Sequence, residues 1–340
     1  MSDYDPRHTP WHLDESEFYE LESRTDQVNF LISWAVLAPS SHNTQPWTFR
    51  ITDDGVEISA DFTRRLPVAD PEGRELFISL GAAITNLRVA AAHFGFETSV
   101  LYESDAESAA VAVVTLRETC DADASLRALF PSIAKRHTNR QPFVEREIDP
   151  HALTRLCDFV EDNSELHFVL PHDVQRAARL IEEGDRLLMA NTAFRDEIAH
   201  WLRPNAGSAR DGMCGDAIGI PGPLSALGPW MIRQFDMSGA QARFDRSLAE
   251  KAAGLIVVTA YDDRLSLVRA GELLERLLLL LTTLSIDYSF LNQPVQVPAL
   301  RHSLWSMIRS ATPPQLLVRF GYAPAPVQPM PRRPVDAVVQ

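Results

Sequence analysis

Two apolar helical stretches, residues 75–94 and 271–286, end in strings that align at an offset of 190 residues, and this pairing constrains the fold more than any other feature of the chain. Ala92-His93-Phe94-Gly95-Phe96-Glu97-Thr98-Ser99 falls on Thr282-Thr283-Leu284-Ser285-Ile286-Asp287-Tyr288-Ser289. Related tetrapeptides precede the two stretches, Arg65-Leu66-Pro67-Val68 and Arg264-Leu265-Ser266-Leu267. In the first, Leu76, Leu80, Ala83, Ile84, Leu87, Ala90 and Ala91 keep to one helical face. A buried strand follows each, over 109–116 and 315–322, so the order strand, helix, strand occurs twice around a junction near residue 125. Apolar helices also align by chance, and the repeat alone leaves duplication and coincidence both open. With 340 residues, the chain is in either case too long for one small module.

The rest of the pattern is mixed. Val28, Leu31, Ile32, Ala35 and Val36 predict a helix that stops before Pro39. Trp47 to Ile51 and Val56 to Ala60 read as strands about the turn Asp53-Asp54-Gly55. Helices are predicted over 126–133, 149–159, 171–200 and 298–308, and a β-branched strand over 254–261. Residues 1–24 are polar and irregular. The stretch 202–229 is rich in glycine and proline and reads as a long loop or lid. The prolines after Ala323 give an extended linker or arm.

Charge and composition exclude several chemistries. Thirty-two basic against 46 acidic residues leave a net charge of −14, which argues against nucleic acid or an anionic membrane as the main partner. The longest apolar run, Leu277 to Ile286, is half of what crosses a bilayer, and the acidic N-terminus carries no secretory signal. Only two lysines occur, Lys135 before Arg136 and Lys251 before Ala252, so no phosphate-binding P-loop is present. Cys120, Cys157 and Cys214 form neither a C-x-x-C pair nor a zinc spacing, which predicts a reducing cytoplasm. A small-molecule partner is the expectation.

Two polar loops carry the remaining chemistry. Ala38-Pro39-Ser40-Ser41-His42-Asn43-Thr44-Gln45-Pro46-Trp47 concentrates hydroxyls and amides between a helix end and a strand start. It suits the edge of a planar heterocycle, although an ordinary cap and Asx turn uses the same residues. Lys135-Arg136-His137-Thr138-Asn139-Arg140 sets four cationic side chains in six positions, at what reads as a helix entry. Forked guanidinium donors there suit a phosphate, and a solvated basic turn is the plainer alternative.

Together the loops resemble the nitroreductase superfamily of FMN-dependent oxidoreductases, whose phosphate-binding R-H/R-S-x-R/K element and flavin-edge P-S-S-x-N-x-Q-P-W element they match. The order, with the flavin-edge loop in the first half and the arginine loop opening the second, resembles the Acg-type subgroup, in which two related halves are fused into a one-chain pseudo-dimer. The resemblance spans roughly residues 26–325 and implies an α+β fold of three layers, α-β-α, with mostly antiparallel sheets. It divides the chain into a first half over 1–125, with the flavin-ring loop at 39–47, and a second half over 126–325. The second half holds the phosphate loop at 136–140 and the lid candidate at 202–229, and 326–340 form a Pro-rich tail.

The same resemblance implies one FMN per chain, with Ser40, Ser41, His42, Asn43 and Gln45 at the ring, and Arg136, His137, Thr138, Asn139 and Arg140 at the phosphate and ribityl end. Arg319 would be a further phosphate contact, and the backbone of Leu291-Asn292-Gln293 would approach flavin N5. No P-S-S-x-N counterpart exists in the second half, and Arg7-His8-Thr9 is only a partial match to a second phosphate element. The implied activity is ping-pong reduction of nitroaromatics, quinones or similar small acceptors by NADH or NADPH, carried by flavin N5 without a catalytic triad, in a monomer or a homodimer. His42 and His137 stand where a histidine is either a proton donor or a structural hydrogen bonder. The alternative is a flavin-sequestering protein, its cofactor covered by the lid through Trp201, Arg203, Met213 and Trp230.

Overall fold

A computed structural model describes residues 5–105, 107–205, 207–218, 220, 222–235 and 238–340. Positions 206, 219 and 221 of the lid candidate lie outside the described residues.

Helix α1 (Arg24–Ala35) starts at a serine N-cap: the Ser23 hydroxyl accepts from Asp26 N at 3.0 Å and donates to the Asp26 carboxylate at 2.6 Å. Strands β1 (Trp47–Thr52) and β2 (Gly55–Ala60) form the hairpin about Asp53-Asp54. Helix α2 (Arg74–His93) follows, then β3 (Phe96–Tyr102) and β4 (Ala110–Glu118), completing an antiparallel sheet in the order β1-β2-β4-β3. The helix predicted over 126–133 is reduced to the short α3 (Ala124–Arg127) and a 3₁₀ turn, since Pro131 supplies no N–H to continue it.

The remaining elements are α4 (Pro150–Glu161), β5 (Leu166–Phe168), α5 (Val174–Ala190), α6 (Thr192–Trp201), the two-residue strands β6 (Leu202–Arg203) and β7 (Met213–Cys214), α7 (Gly228–Gln234), α8 (Ser238–Glu250), β8 (Gly254–Thr259), α9 (Arg264–Thr283), β9 (Asp287–Phe290), α10 (Gln293–Gln296), α11 (Pro298–Ile308) and β10 (Pro314–Gly321). A second antiparallel sheet runs β5-β8-β10-β9. The helix read over 171–200 breaks at Asn191, which is extended and whose side chain accepts from Ala193 N, capping α6. Helix α9 begins seven residues before Gly271 because Asp263 caps it through Ser266 N.

Helices α2 and α9 cross between the two sheets. The crossing is reciprocal: a Cβ on Gly81 would run into the Val268 carbonyl, and one on Gly271 into that of Ile78. Only glycine lets the backbones approach this closely. Ile78 of α2 sits in the core under the second sheet, and Val268 and Leu279 of α9 sit in the core under the first. Helix α2 is apolar and long enough by composition to span a membrane, and 83% of that window is buried inside the protein.

The antiparallel sheets match the sequence expectation, and the α-β-α layering departs from it at the first sheet only. The second sheet has helices on both faces, α4 and α9 on one and α5 and α11 on the other. The first sheet is covered on one face only, and Glu97, Ser99 and Leu101 of β3 are exposed on the other.

The Pro-rich tail is not a free arm. It returns to the first sheet, where Phe49 N donates to Val338 O at 2.8 Å and Gln340 N to Phe49 O at 2.9 Å. Val338 is 1% exposed. The N-terminal residues also pack, with Trp11 and Phe18 buried in the first core.

Candidate functional site

The loop between α1 and β1 is built from unusual backbone. His42, Asn43 and Gln45 all have positive φ, at 51°, 55° and 51°. Non-glycine residues adopt this conformation at a cost and persist in it where surrounding bonds hold them. Here Asn43 N donates to Ser40 O at 2.9 Å, Thr44 N to Ser41 O at 3.0 Å, and Gln45 N to the Ser40 hydroxyl at 2.9 Å.

The amides of this loop face protein rather than open space. Asn43 Nδ2 donates to Gly212 O and to Pro331 O, both at 2.9 Å, and Asn43 Oδ1 accepts from Arg332 Nη1 at 2.9 Å. Gln45 Nε2 donates to Arg210 O at 2.8 Å, and Gln45 Oε1 accepts from Arg333 N at 2.8 Å. The loop therefore clasps both the 210–214 segment of the lid candidate and the tail. Arg64 reinforces the clasp through Thr44 O and Asp211, which Arg203 also holds at 2.9 Å.

The arginine loop divides into residues that hold the fold and residues that face inward. Arg136, 2% exposed, donates to Tyr288 Oη and to Leu37 O at 2.8 Å each and pairs with Glu275 at 3.1 Å. Asn139 pins the loop to β9: its N–H reaches Tyr288 O at 2.9 Å and its Nδ2 reaches Asp287 and Ala325 O at 3.1 Å. Arg140 is half-buried and makes no hydrogen bond or ion pair among the described residues. No helix opens at 136–140, as α4 starts at Pro150, so the helix-entry part of the sequence argument does not apply.

A cavity of about 200 Å³ lies where the two loops meet. Ser40, Ser41, His42, Asn43, Arg136, His137, Thr138, Arg140 and Asn292 line it. Gln45, Asn139, Leu291, Gln293 and Arg319 do not. Leu291 is buried with its N–H on Leu317 O at 2.9 Å, and Gln293 turns away toward Asp185 and Asp245. Arg319 is fully buried behind the arginine loop, where it donates to Ser289 Oγ at 2.6 Å and to the carbonyls of Asn139 and Gln141 at 3.2 and 2.8 Å, under Phe143. Of the four lid residues singled out, only Met213 lines the cavity, and Trp230 is 54% exposed. Arg7 makes no second phosphate element: its guanidinium is spent on Pro329 O, Asn205 O and Asp216.

Sequence reasoning missed one wall. Glu75, Ile78, Ser79 and Ala82 face the cavity at i, i+3, i+4 and i+7, one stripe of α2. Glu75 is 3% exposed, and it accepts from the Ser41 hydroxyl and from Gln296 Nε2, the latter at 2.9 Å. A buried acid on an otherwise apolar helical face was the available signal. Trp11, Met330 and Arg332 also line the cavity and come from termini that read as irregular.

The electrostatics favour an anion at one end. Burial, then Arg140, holds His42 down to about 4, and burial, then Arg136 and Arg332, holds His137 down to about 3, so both are neutral near pH 7. His42 Nδ1 is buried without a partner among the described residues. Burial lifts Glu275 to about 7 against the pull of Arg136 and Arg332. The opposite wall is apolar, from Ile78, Ala82, Leu274, Phe290 and Leu316. An apolar slot ending at an unpaired guanidinium fits a planar heterocycle that carries a phosphate.

No family model matches the chain. "Putative NAD(P)H nitroreductase Rv3131" of Mycobacterium tuberculosis (strain ATCC 25618 / H37Rv) is 26% identical over 325 residues, which cover 93% of this chain and 91% of that protein. "Putative NAD(P)H nitroreductase acg" of the same strain is 27% identical over 324 residues, covering 92% and 95%. A solved "putative nitroreductase" from Anabaena variabilis ATCC 29413 aligns at a TM-score of 0.45 and 11% identity, over 92% of this chain and 91% of its own. The sequence similarity, spread over nine-tenths of each curated chain, supports kinship with the nitroreductase superfamily, at the level of the superfamily and not of a subgroup.

Proposed function

We propose that the chain is an FMN-binding oxidoreductase of the nitroreductase type, one FMN per chain, which uses NADH or NADPH to reduce nitroaromatics, quinones or similar small acceptors. The observation that carries this reading is the convergence of the flavin-edge loop and Arg140 on one cavity, with the Arg140 guanidinium unpaired at it. When bound, FMN would supply hydride acceptance and electron transfer at N5. The chain's own residues orient and exclude. Arg140 holds the phosphate, with Thr138 beside it. Ser41, its hydroxyl hydrogen committed to Glu75, offers the ring edge an acceptor. Arg136, Asn139 and Arg319 act through the loop they hold, as positioning residues. In this reading residues 1–125 and 126–325 are two related halves fused as a pseudo-dimer, and the reciprocal glycine crossing of α2 and α9 is what such a symmetry would leave.

One observation favours a second reading, flavin sequestration with little turnover: Asn43 and Gln45 fasten the lid segment and the tail against the cavity, and Met213 forms part of its wall. One experiment separates the two. The purified protein is loaded with FMN, freed of excess, and titrated anaerobically with NADPH while its absorbance is recorded. Bound flavin that bleaches supports the oxidoreductase, bound flavin that stays yellow supports sequestration, and no retained flavin overturns both.

A further inference from the structure

Behind the Arg140 end of the cavity two buried carboxyls meet. Asp185 of α5 and Asp245 of α8 are 5% and 8% exposed. One amide nitrogen, Gln293 Nε2, donates to both, at 3.1 Å to Asp185 and 2.8 Å to Asp245, and Gln241 Nε2 donates to Asp245 at 3.1 Å. Two buried carboxyls held on one donor do not both ionise readily, and burial holds both above the usual carboxylate range. Helix α5 reaches Gln293 because residue 184 is glycine: a Cβ there would lie 2.8 Å from the Gln293 carbonyl carbon. The residue before Gln293, Asn292, lines the cavity.

The charges facing this pair come from the arginine loop and from β10. Arg140 and Arg319 both act on Asp245, Asp287 of β9 acts on Arg319, and Glu182, one turn earlier on α5, is occupied by Arg186 and Arg246. Among the described carboxylates, Asp245 is the one that acts on Arg140.

We propose that the Asp185–Asp245 pair, clamped by Gln293, is a positioning element that sets the charge at the Arg140 end of the cavity, and thereby the preference of the site for a phosphorylated over an unphosphorylated ligand. The inference rests on the reading that a flavin phosphate sits at Arg140. With one proton shared, the pair carries a single negative charge. Loss of that proton adds a second beside Arg140, and the attraction for a phosphate falls. Burial and Asp245 hold Asp185 up to about 8. His42 and His137, at about 4 and 3, Asp70, at about 6, and Arg319 and Tyr288, at about 10 and 12, titrate elsewhere. Glu275, at about 7, lies on the Arg136 side, and whatever it contributes is common to wild type and variants.

The test measures FMN and riboflavin affinities of the full chain by flavin fluorescence, at pH near 7.5 and near 9, for wild type, Asp185→Asn and Asp245→Asn. In wild type the FMN-over-riboflavin preference should fall about fivefold between the two pH values, with riboflavin affinity unchanged. In Asp185→Asn the fall should shrink to the small part that Glu275 contributes. Asp245→Asn leaves Asp185 as the lone carboxyl and should flatten the ratio in the same way, so one folded variant, checked by circular dichroism, suffices. A constant ratio in wild type overturns the inference, as does a fall of undiminished size in the variants. Equal loss of both flavins in the variants, at both pH values, marks a purely structural pair and also overturns it. Wild type that binds riboflavin and FMN equally at each pH refutes the phosphate assignment itself, and wild type that binds neither flavin removes the functional reading beneath it.

Discussion

Gly81 and Gly271 each press against the carbonyl that the other's helix presents three residues earlier, Gly81 on Val268 and Gly271 on Ile78. Such a contact, in which residue i meets j and the counterpart of j meets the counterpart of i, is the form of a twofold interface between identical subunits. It lies here inside one chain, between helices whose bounds differ by the same 190 residues as the aligned sequence strings. The crossing sets the separation of the two sheets and therefore the width of the cavity, since Ile78 and Ala82 line it from one helix and Leu274 from the other.

Gly81→Ala and Gly271→Ala should each destabilise the protein by about 2–3 kcal/mol, because the added methyl meets backbone that cannot rotate away. The double variant should cost less than the two single variants together, since the first substitution already parts the helices. Urea denaturation midpoints of the three variants and wild type give the coupling directly, and strict additivity would refute the shared crossing.

The two arginines that the sequence motif treats alike should behave differently. Arg136→Ala removes the ion-pair partner of the buried Glu275 and one donor each from Tyr288 Oη and Leu37 O, and should cost about 3–5 kcal/mol, the usual penalty for breaking a buried ion pair from one side. Arg140→Ala removes no protein hydrogen bond and should leave the melting temperature nearly unchanged while lowering FMN affinity at least about tenfold. Thermal melts beside flavin titrations check both. A strongly destabilised Arg140→Ala would sink the distinction.

How much of this was legible in the sequence depended on whether the signal was local. The hairpin at Asp53-Asp54, the α1 stop before Pro39 and the apolar faces of α2 and α9 follow from short-range periodicity and turn chemistry. Strand β3 was missed because it alternates buried and exposed residues directly after a helix cap, and α8 because its apolar positions are few. The loops at 39–47 and 136–140 stood out as polar clusters, yet their division of labour did not. Nothing in the string Arg-His-Thr-Asn-Arg says that the first guanidinium is consumed by Leu37, Tyr288 and Glu275 while the last is free of hydrogen bonds. Asn43 and Gln45 read as ring contacts, and their part in clasping the lid and tail did not show, because their partners, Gly212, Arg210 and residues 331–333, lie more than 160 positions away. Such partners are set by tertiary packing.

The tail should matter out of proportion to its composition. Arg332 donates to Leu37 O at 3.0 Å, Ala38 O at 3.2 Å and Asn43 Oδ1 at 2.9 Å, and its guanidinium lies 4.7 Å over the Trp11 ring. Arg332→Ala should cost about 3 kcal/mol and release residues 326–340 to protease. Arg333→Ala removes weaker, more exposed bonds at 3.4 and 2.6 Å and should cost about 1 kcal/mol or less. Limited proteolysis followed by intact-mass measurement, together with melts, distinguishes them. Equal protection of the tail in wild type and Arg332→Ala would show that the β1 contacts alone hold it.

Acid should weaken the site through its two neutral histidines. A histidine whose folded value lies below its unfolded value of about 6.5 leaves the native state with fewer protons, so its contribution is complete above that pH and is lost as pH falls toward the folded value. For His42 and His137 the loss should run from about 6.5 down to about 4 and 3, and reach at most about 3 and about 5 kcal/mol respectively. Asp185 and Glu275 act with the opposite sign. Held up to about 8 and 7, they keep protons that the unfolded chain releases, and they favour the fold increasingly as pH drops toward the unfolded carboxylate range. Comparing wild type with His42→Asn isolates one group: the stability difference between them should be constant above about pH 7 and shift in favour of the variant between about 6.5 and 4. Urea titrations of both proteins at pH near 7.5, 5.5 and 4 measure it, and a difference that stays flat across that range would mean that His42 takes up its proton in the native state as readily as in the unfolded one.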